Sequence, residues 1–188
     1  MEQNEIKIFR QIVTLRDGVN VLLRTLAPED AQKLADLYAP ATEEDMRYLQ
    51  DDVKDPKVVQ MWCEDLNYDN SLPLIALVQD RIVGQATLHY RKGPERHIAE
   101  VRIFLSKDFR KRGLGTKMLQ TLIELARKQN LYLIVAKVVA NQIKVVKAFQ
   151  NLGFAKLCTF EDYFMLPDGD VLDVVFLVLY LRPKVDEF

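Results

Sequence analysis

The sequence is short of the features that mark several protein classes. Its two cysteines, Cys63 and Cys158, lie far apart and outside any CxxC or Cys/His ligand spacing, so neither a disulfide framework nor a metal site is expected, and both read as buried free thiols. An excess of charge of one sign is missing too. With 26 basic and 27 acidic residues, no global field draws the chain to nucleic acid or to a membrane surface, although a local basic patch is still allowed. The most apolar stretch, Val171 to Leu181, contains Asp173 and falls short of the roughly 20 residues that a membrane-spanning helix needs. Met1 to Arg10 lacks the continuous apolar run of a secretory signal, so a cytoplasmic protein is expected. No internal repeat, low-complexity tract or Pro/Ser-rich linker divides the chain, and one domain covering 1–188 is the expectation.

What is present is a balanced globular composition, 49% apolar and 28% charged. Asp17-Gly18 signals a turn ahead of an extended strand at Val19 to Leu26. A helix follows, opened by Pro28, Glu29 and Asp30, with Ala31, Leu34, Ala35 and Tyr38 on one face and Pro40 as its stop. Short helices are predicted at Thr42 to Gln50 and at Pro56 to Leu66, where Val58 or Val59 with Trp62 and Leu66 supplies the core stripe. The period then changes. Leu74 to Gln79, Ile82 to Tyr90 and Ile98 to Leu105 read as an antiparallel meander, turning at Asp80-Arg81 and again at Gly93-Pro94. A helix from about Gly113 to Gln129 carries Leu114, Met118, Leu122 and Ala126 at four-residue spacing. Leu131 to Val139 is a strand, Gln142 to Leu152 a helix ended by Gly153, and Phe154 to Met165 with Val171 to Leu181 a hairpin through Pro167-Asp168-Gly169. The layout is α+β, a mixed α/β arrangement with a mixed central sheet of about seven strands flanked by helices.

Between strand and helix lies Arg110-Lys111-Arg112-Gly113-Leu114-Gly115-Thr116. A helix start there aims unpaired backbone N–H groups and a positive dipole end at one point, two glycines permit close approach of a ligand, and the three basic side chains could neutralise a diphosphate. A solvated charge run beside a helix cap is the plain alternative. Met118 stands where either a Walker A loop or a dinucleotide fingerprint requires glycine, which disfavours ATP hydrolysis and binding of NAD or FAD.

Arg110, Gly113 and Gly115 satisfy the R/Q-x-x-G-x-G/A signature of GNAT N-acetyltransferases, and the order of elements over nearly the whole chain resembles that superfamily. VVKAFQNLGF, Val145 to Phe154, resembles its second cofactor-contacting helix. The resemblance implies acetyl-CoA as co-substrate and no metal. It implies that the backbone of Phe104 and Leu105 contacts the pantetheine arm, that Arg110 to Thr116 hold the pyrophosphate, and that Asn141 or Gln142 meets the cofactor.

Phe149 falls where many members carry a tyrosine that protonates the departing thiolate, and phenylalanine has no proton to give. Tyr132 and Tyr163 are the candidate substitutes, but the leading reading of each is a packed strand residue. Glu100 matches a catalytic glutamate of some members, with an ion pair to Arg102 on the same strand face as the equal alternative; His89 and His97 are weaker proton relays. The expected activity is acetyl transfer to a primary amine, of a protein lysine or a small molecule, by direct attack in a ternary complex. A catalytically silent acetyl-CoA-binding module and an unrelated nucleotide-binding protein are the alternatives. The opening Leu15 to Arg24 with Pro28-Glu29-Asp30, together with Ala99-Glu100, resembles bacterial protein lysine acetyltransferases and leans the expectation towards that group. No nucleic-acid or membrane partner is expected, and a homodimer is left open.

Overall fold

In the computed structural model, residues 3–49 and 51–182 are described. They form two compact units: one runs up to Thr87 and takes in Ile103–Leu119, and the other holds Leu88–Arg102 and the chain from Gln120 onward.

The first unit begins with α1 (Gln3–Lys7), β1 (Arg10–Thr14) and β2 (Asn20–Thr25). β1 and β2 form an antiparallel hairpin with Thr14 opposite Asn20, and Gly18 at its turn has φ +82°, a backbone state that glycine adopts without steric cost. A short 3-10 turn at Pro28–Asp30 leads into α2 (Ala31–Tyr38). Asp30 is 1% exposed. Its carboxylate accepts two hydrogen bonds from the Arg24 guanidinium, each 2.6 Å, and one from Ala27 N–H at 2.9 Å, so a buried charge is fully partnered.

α3 (Glu43–Met46) starts from a reciprocal cap in which Asp45 N–H donates to Thr42 Oγ1 and Thr42 N–H donates to Asp45 Oδ2. Its expected end, Gln50, lies outside the described residues. α4 (Pro56–Glu64) is capped by Asp55, which accepts from Lys57 N–H. Leu34, Leu37, Tyr38, Val59 and Cys63 bury the inner faces of α2 and α4, and Trp62 packs against them half-buried. β3 (Ser71–Val78) pairs antiparallel with β2, Leu22 opposite Leu77, and is followed by β4 (Arg81–Tyr90). The turn between them uses Gln79 and Asp80, both left-handed, one residue earlier than expected.

β4, β5 (Ile98–Leu105) and α5 (Leu114–Lys128) each run from one unit into the other. Ser106 N–H donates to Val83 O and Arg91 N–H to Ile98 O, the opposed numbering of an antiparallel pair. In the second unit the strand order is β5, β6 (Leu133–Val139), β8 (Val171–Tyr180) and β7 (Ala155–Met165), with α6 (Ile143–Asn151) between β6 and β7 in the chain. β5 and β6 are parallel, Ala99 opposite Ile134; β6–β8 and β8–β7 are antiparallel. Alternation along β6 buries Ile134, Ala136 and Val138 and leaves Leu133, Val135 and Lys137 half-buried. The mixed sheet matches the expected class with eight strands rather than about seven, the extra one being β1. Cys63 is buried as expected, but Cys158 is exposed, because β7 is the outermost strand.

Candidate functional site

The glycine turn belongs wholly to the first unit. Lys111 has φ +61° and Gly113 φ +91°, a turn of the kind that gathers successive N–H groups into an anion-binding concavity. The first bond of the α5 ladder is made by Lys117 N–H to Gly113 O at 3.2 Å, so the amides of Leu114, Gly115 and Thr116 precede it and face outward from the positive helix end. Leu114 is fully buried and anchors the helix start, while Thr116 is exposed. The turn therefore fits an anion.

The two glycines have distinct reasons. Gly113 is required by its left-handed φ, and a Cβ there would lie 3.6 Å from Arg16 Nε. Gly115 is ordinary helix, and its Cβ would point at Leu105 Cδ1, 3.3 Å away, and Ile103 Cδ1; its smallness serves packing of α5 on β5. Gly84, which no local motif marks, does the same on β4, where a Cβ would stand 2.7 Å from Leu105 Cδ2 and 3.1 Å from Met118 Sδ.

The side chains of the turn divide unequally. Arg110 pairs with Asp45 at 2.7 Å, donates to Leu105 O at 3.0 Å and sits 5.8 Å from the Phe104 ring centroid. Arg112 pairs with Asp17 at 2.5 Å, donates to Asp108 O at 3.2 Å and stacks on Phe109 at 4.3 Å. Both guanidiniums are thus engaged by groups of the protein itself while staying partly exposed. Burial would raise the Asp45 carboxyl, but the Thr42 amide and hydroxyl with Arg110 and Lys107 hold it well below the usual carboxylate range. Lys111 is exposed and left-handed. Phe104 is buried, stacked 4.7 Å from Tyr38, whose hydroxyl donates to Gln85 Oε1 at 2.7 Å; burial pushes that phenol far up. Leu105 is half-buried and its carbonyl is already held by Arg110.

The other expected residues belong to the second unit. Asn141 is exposed and Gln142, at the N-cap position of α6, makes no side-chain capping bond. Phe149 is 4% exposed and packs edge-on against Phe154 at 5.1 Å. Tyr132 stands edge-on to His97 and Tyr180. His97 is exposed and His89 half-buried.

Glu100 is buried and meets three cations: Arg91 at 2.6 Å, Arg102 at 3.1 Å and Lys137 at 3.1 Å. Burial pushes its pKa up, but Lys137 and Arg102 outweigh that and hold it below the usual glutamate value. A carboxylate so held is a weak proton acceptor. Of its partners only Arg102 was readable from strand alternation. Arg91 follows β4 and Lys137 lies on a strand paired by a parallel crossover, neither of which local spacing reveals.

A sequence profile described as the acetyltransferase (GNAT) family matches residues 31–154. Among solved structures, the GNAT domain of S. lividans PAT superposes with a TM-score of 0.76 at 20% identity, covering 91% of this chain and 96% of that one. A ribosomal-protein-alanine N-acetyltransferase from Brucella melitensis gives 0.74 at 24% identity, covering 84% and 98%. The yncA acetyltransferase of Salmonella typhimurium, solved with acetyl-CoA, gives 0.75 at 20% identity, covering 88% and 96%. At these identities the likeness concerns the fold.

Proposed function

Because the chain belongs to the acetyltransferase (GNAT) family, we propose that it transfers an acetyl group from acetyl-CoA to a primary amine by direct attack in a ternary complex. The observation that carries this is the turn at Lys111 and Gly113 running into α5. Its outward amides suit the pyrophosphate, with Lys111 as the exposed cation within the turn and the exposed Arg16 beside Gly113; Arg110 and Arg112 then shape the turn through their own ion pairs. Phe104 and Leu105 would offer backbone to the pantetheine arm, and Asn141 or Gln142 would meet the cofactor near α6. The matched residues run through both compact units, which supports reading 1–188 as one acetyltransferase domain. Among the described residues, no helix is long and apolar enough to cross a membrane, and a cytoplasmic location is part of this proposal.

In the proposed reaction the neutral amine nitrogen forms a bond to the thioester carbonyl carbon, the carbon–sulfur bond breaks, and the nitrogen passes its extra proton through water to the departing thiolate, leaving amide and free thiol. A thiol of pKa about 8.5 leaves tolerably without a proton donor, so Phe149 at the tyrosine position does not forbid turnover. A lysine-like acceptor must first lose a proton, which costs roughly 4 to 5 kcal/mol at pH 7. The ion-paired state of Glu100 favours water over this carboxylate as the immediate acceptor of that proton.

Calorimetry with acetyl-CoA, ATP and NAD tests the assignment. Micromolar binding of acetyl-CoA with none of the others is the expected result, and the reverse would overturn it. The burial of Phe149 favours one second reading, an acetyl-CoA-binding module without catalysis; measuring release of free thiol across a panel of peptides and small amines separates the two.

A further inference from the structure

The cluster around Glu100 holds more positive charge than its carboxylate uses. Oε2 takes Arg91 Nη2 at 2.6 Å and Lys137 Nζ at 3.1 Å, and Oε1 takes Arg102 Nη2 at 3.1 Å and Nε at 3.2 Å. Three cations meet one anion. Glu100 is 5% exposed and Lys137 15%, whereas the Arg91 and Arg102 side chains are 43% and 38% exposed. Each guanidinium carries five N–H donors in a fixed fork, and Glu100 engages one nitrogen of Arg91 and two of Arg102. Donors are left over at the solvent side, held in place by a buried carboxylate instead of waving freely.

Beside Lys137, which shares Glu100 Oε2 with Arg91, lies an apolar shelf. The Lys137 ammonium is 5.4 Å from the Tyr163 ring centroid and 5.7 Å from that of Phe176. Tyr163 packs edge-on with Phe176 at 5.0 Å and with Phe160 at 5.2 Å. Phe160 remains 56% exposed and Tyr163 38%, so the shelf is open to solvent. A solvated charge run would neither be organised by a buried carboxylate nor abut uncovered rings. Fixed guanidinium donors are suited to a second carboxylate, because a planar fork matches its two oxygens and its ordering cost is already met.

We propose that Arg91 and Arg102 bind a carboxylate of the amine acceptor while Phe160 and Tyr163 receive its apolar side chain, which makes the acceptor an amino-acid-like small molecule. This rests on the acetyltransferase reading and names its substrate class. Glu100 is then a positioning residue, since it orders the guanidiniums and touches no reacting atom.

Calorimetry without acetyl-CoA tests it, using L-phenylalanine and L-phenylalaninamide, which share ring and amine and differ in the carboxylate. The acid is expected to bind about 10- to 100-fold more tightly, the range for a charge-assisted contact. Arg91→Gln and Arg102→Gln, each checked by thermal melting to be folded, should erase most of that preference. Equal binding of acid and amide, or binding of neither, overturns the proposal. Acetylation of peptide lysines with no response to amino acids would also overturn it while sparing the acetyltransferase reading, whereas failure to bind acetyl-CoA overturns that reading whatever the amino acids do.

Discussion

At the glycine turn Arg110 and Arg112 spend their guanidiniums on Asp45 and Asp17, whereas at the strand face Arg91, Arg102 and Lys137 share the single carboxylate of Glu100. The region that looks most basic in sequence is therefore nearly neutral in its side chains, and offers an anion mainly backbone amides and a helix end. The region that looks unremarkable carries the surplus of charge. Local density of Lys and Arg is a poor guide to where positive potential is available, because tertiary pairing decides it.

The largest effect that can break this contrast is at Glu100. Glu100→Gln keeps shape but leaves Lys137, 15% exposed, without its counter-charge, and should cost about 3 kcal/mol, read by urea unfolding at pH 7. Its carboxyl is lowered on folding, so its stabilisation is complete above about pH 4.3, the ordinary glutamate value, and is lost as the pH falls through the folded value. Parent and variant should therefore converge in stability on acidification. Unchanged stability with turnover that recovers only as pH rises would instead make Glu100 the catalytic base.

Next comes Gly113→Val, which places a β-branched residue at φ +91°. A cost of about 1–2 kcal/mol in unfolding free energy is expected, with acetyl-CoA affinity reduced at least tenfold because the amides are re-aimed. Gly115→Ala should be milder in both respects, since its Cβ meets Leu105 Cδ1 at 3.3 Å without any backbone strain. Comparable affinity losses in the two variants would show that the turn acts through shape at both positions.

Much of this was legible in the sequence because it is local. Periodicity placed α2, α5, α6 and the β7–β8 hairpin, and the glycine spacing marked the turn, whose conformation depends on neighbouring residues. β1 escaped notice because Val13 is its only buried residue, so no apolar alternation announces it. Trp62 read as core but is half-buried, while Cys63 next to it takes the inner position. The charge partners were invisible for another reason: Asp45 lies 65 residues from Arg110 and Asp17 lies 95 from Arg112, and nothing in local spacing encodes such pairs. Thr42 and Asp45 did carry a helix-start pattern, yet not the arginine that completes it.

A smaller effect should follow from Arg110→Ala. Its guanidinium is 38% exposed, so the pair with Asp45 is screened, and a loss of below about 1 kcal/mol is expected from the ion pair. The hydrogen bond to Leu105 O is lost with it. Acetyl-CoA affinity should fall less than threefold if the charge is already spent within the protein. A drop of tenfold or more, with stability intact, would return Arg110 to the anion's rim.

The smallest effect expected on the fold, and the sharpest on the comparison, is Lys111→Ala. Lys111 is exposed, and substitution at such a surface site changes stability within about 0.5 kcal/mol. Alanine keeps a Cβ at φ +61°, so the turn retains its conformational bias and only the ammonium is removed. If Lys111 is the one basic side chain of the turn directed at the pyrophosphate, acetyl-CoA affinity should fall about three- to tenfold at low salt. The deficit should shrink as ionic strength approaches 1 M, where the Debye length is about 3 Å. Titration calorimetry at two salt concentrations reads both quantities. An affinity equal to the parent's at low salt would mean that the amides of Leu114, Gly115 and Thr116 with the helix end hold the anion without any basic side chain of this turn, and that the exposed Arg16 beside Gly113 is the cation to test next.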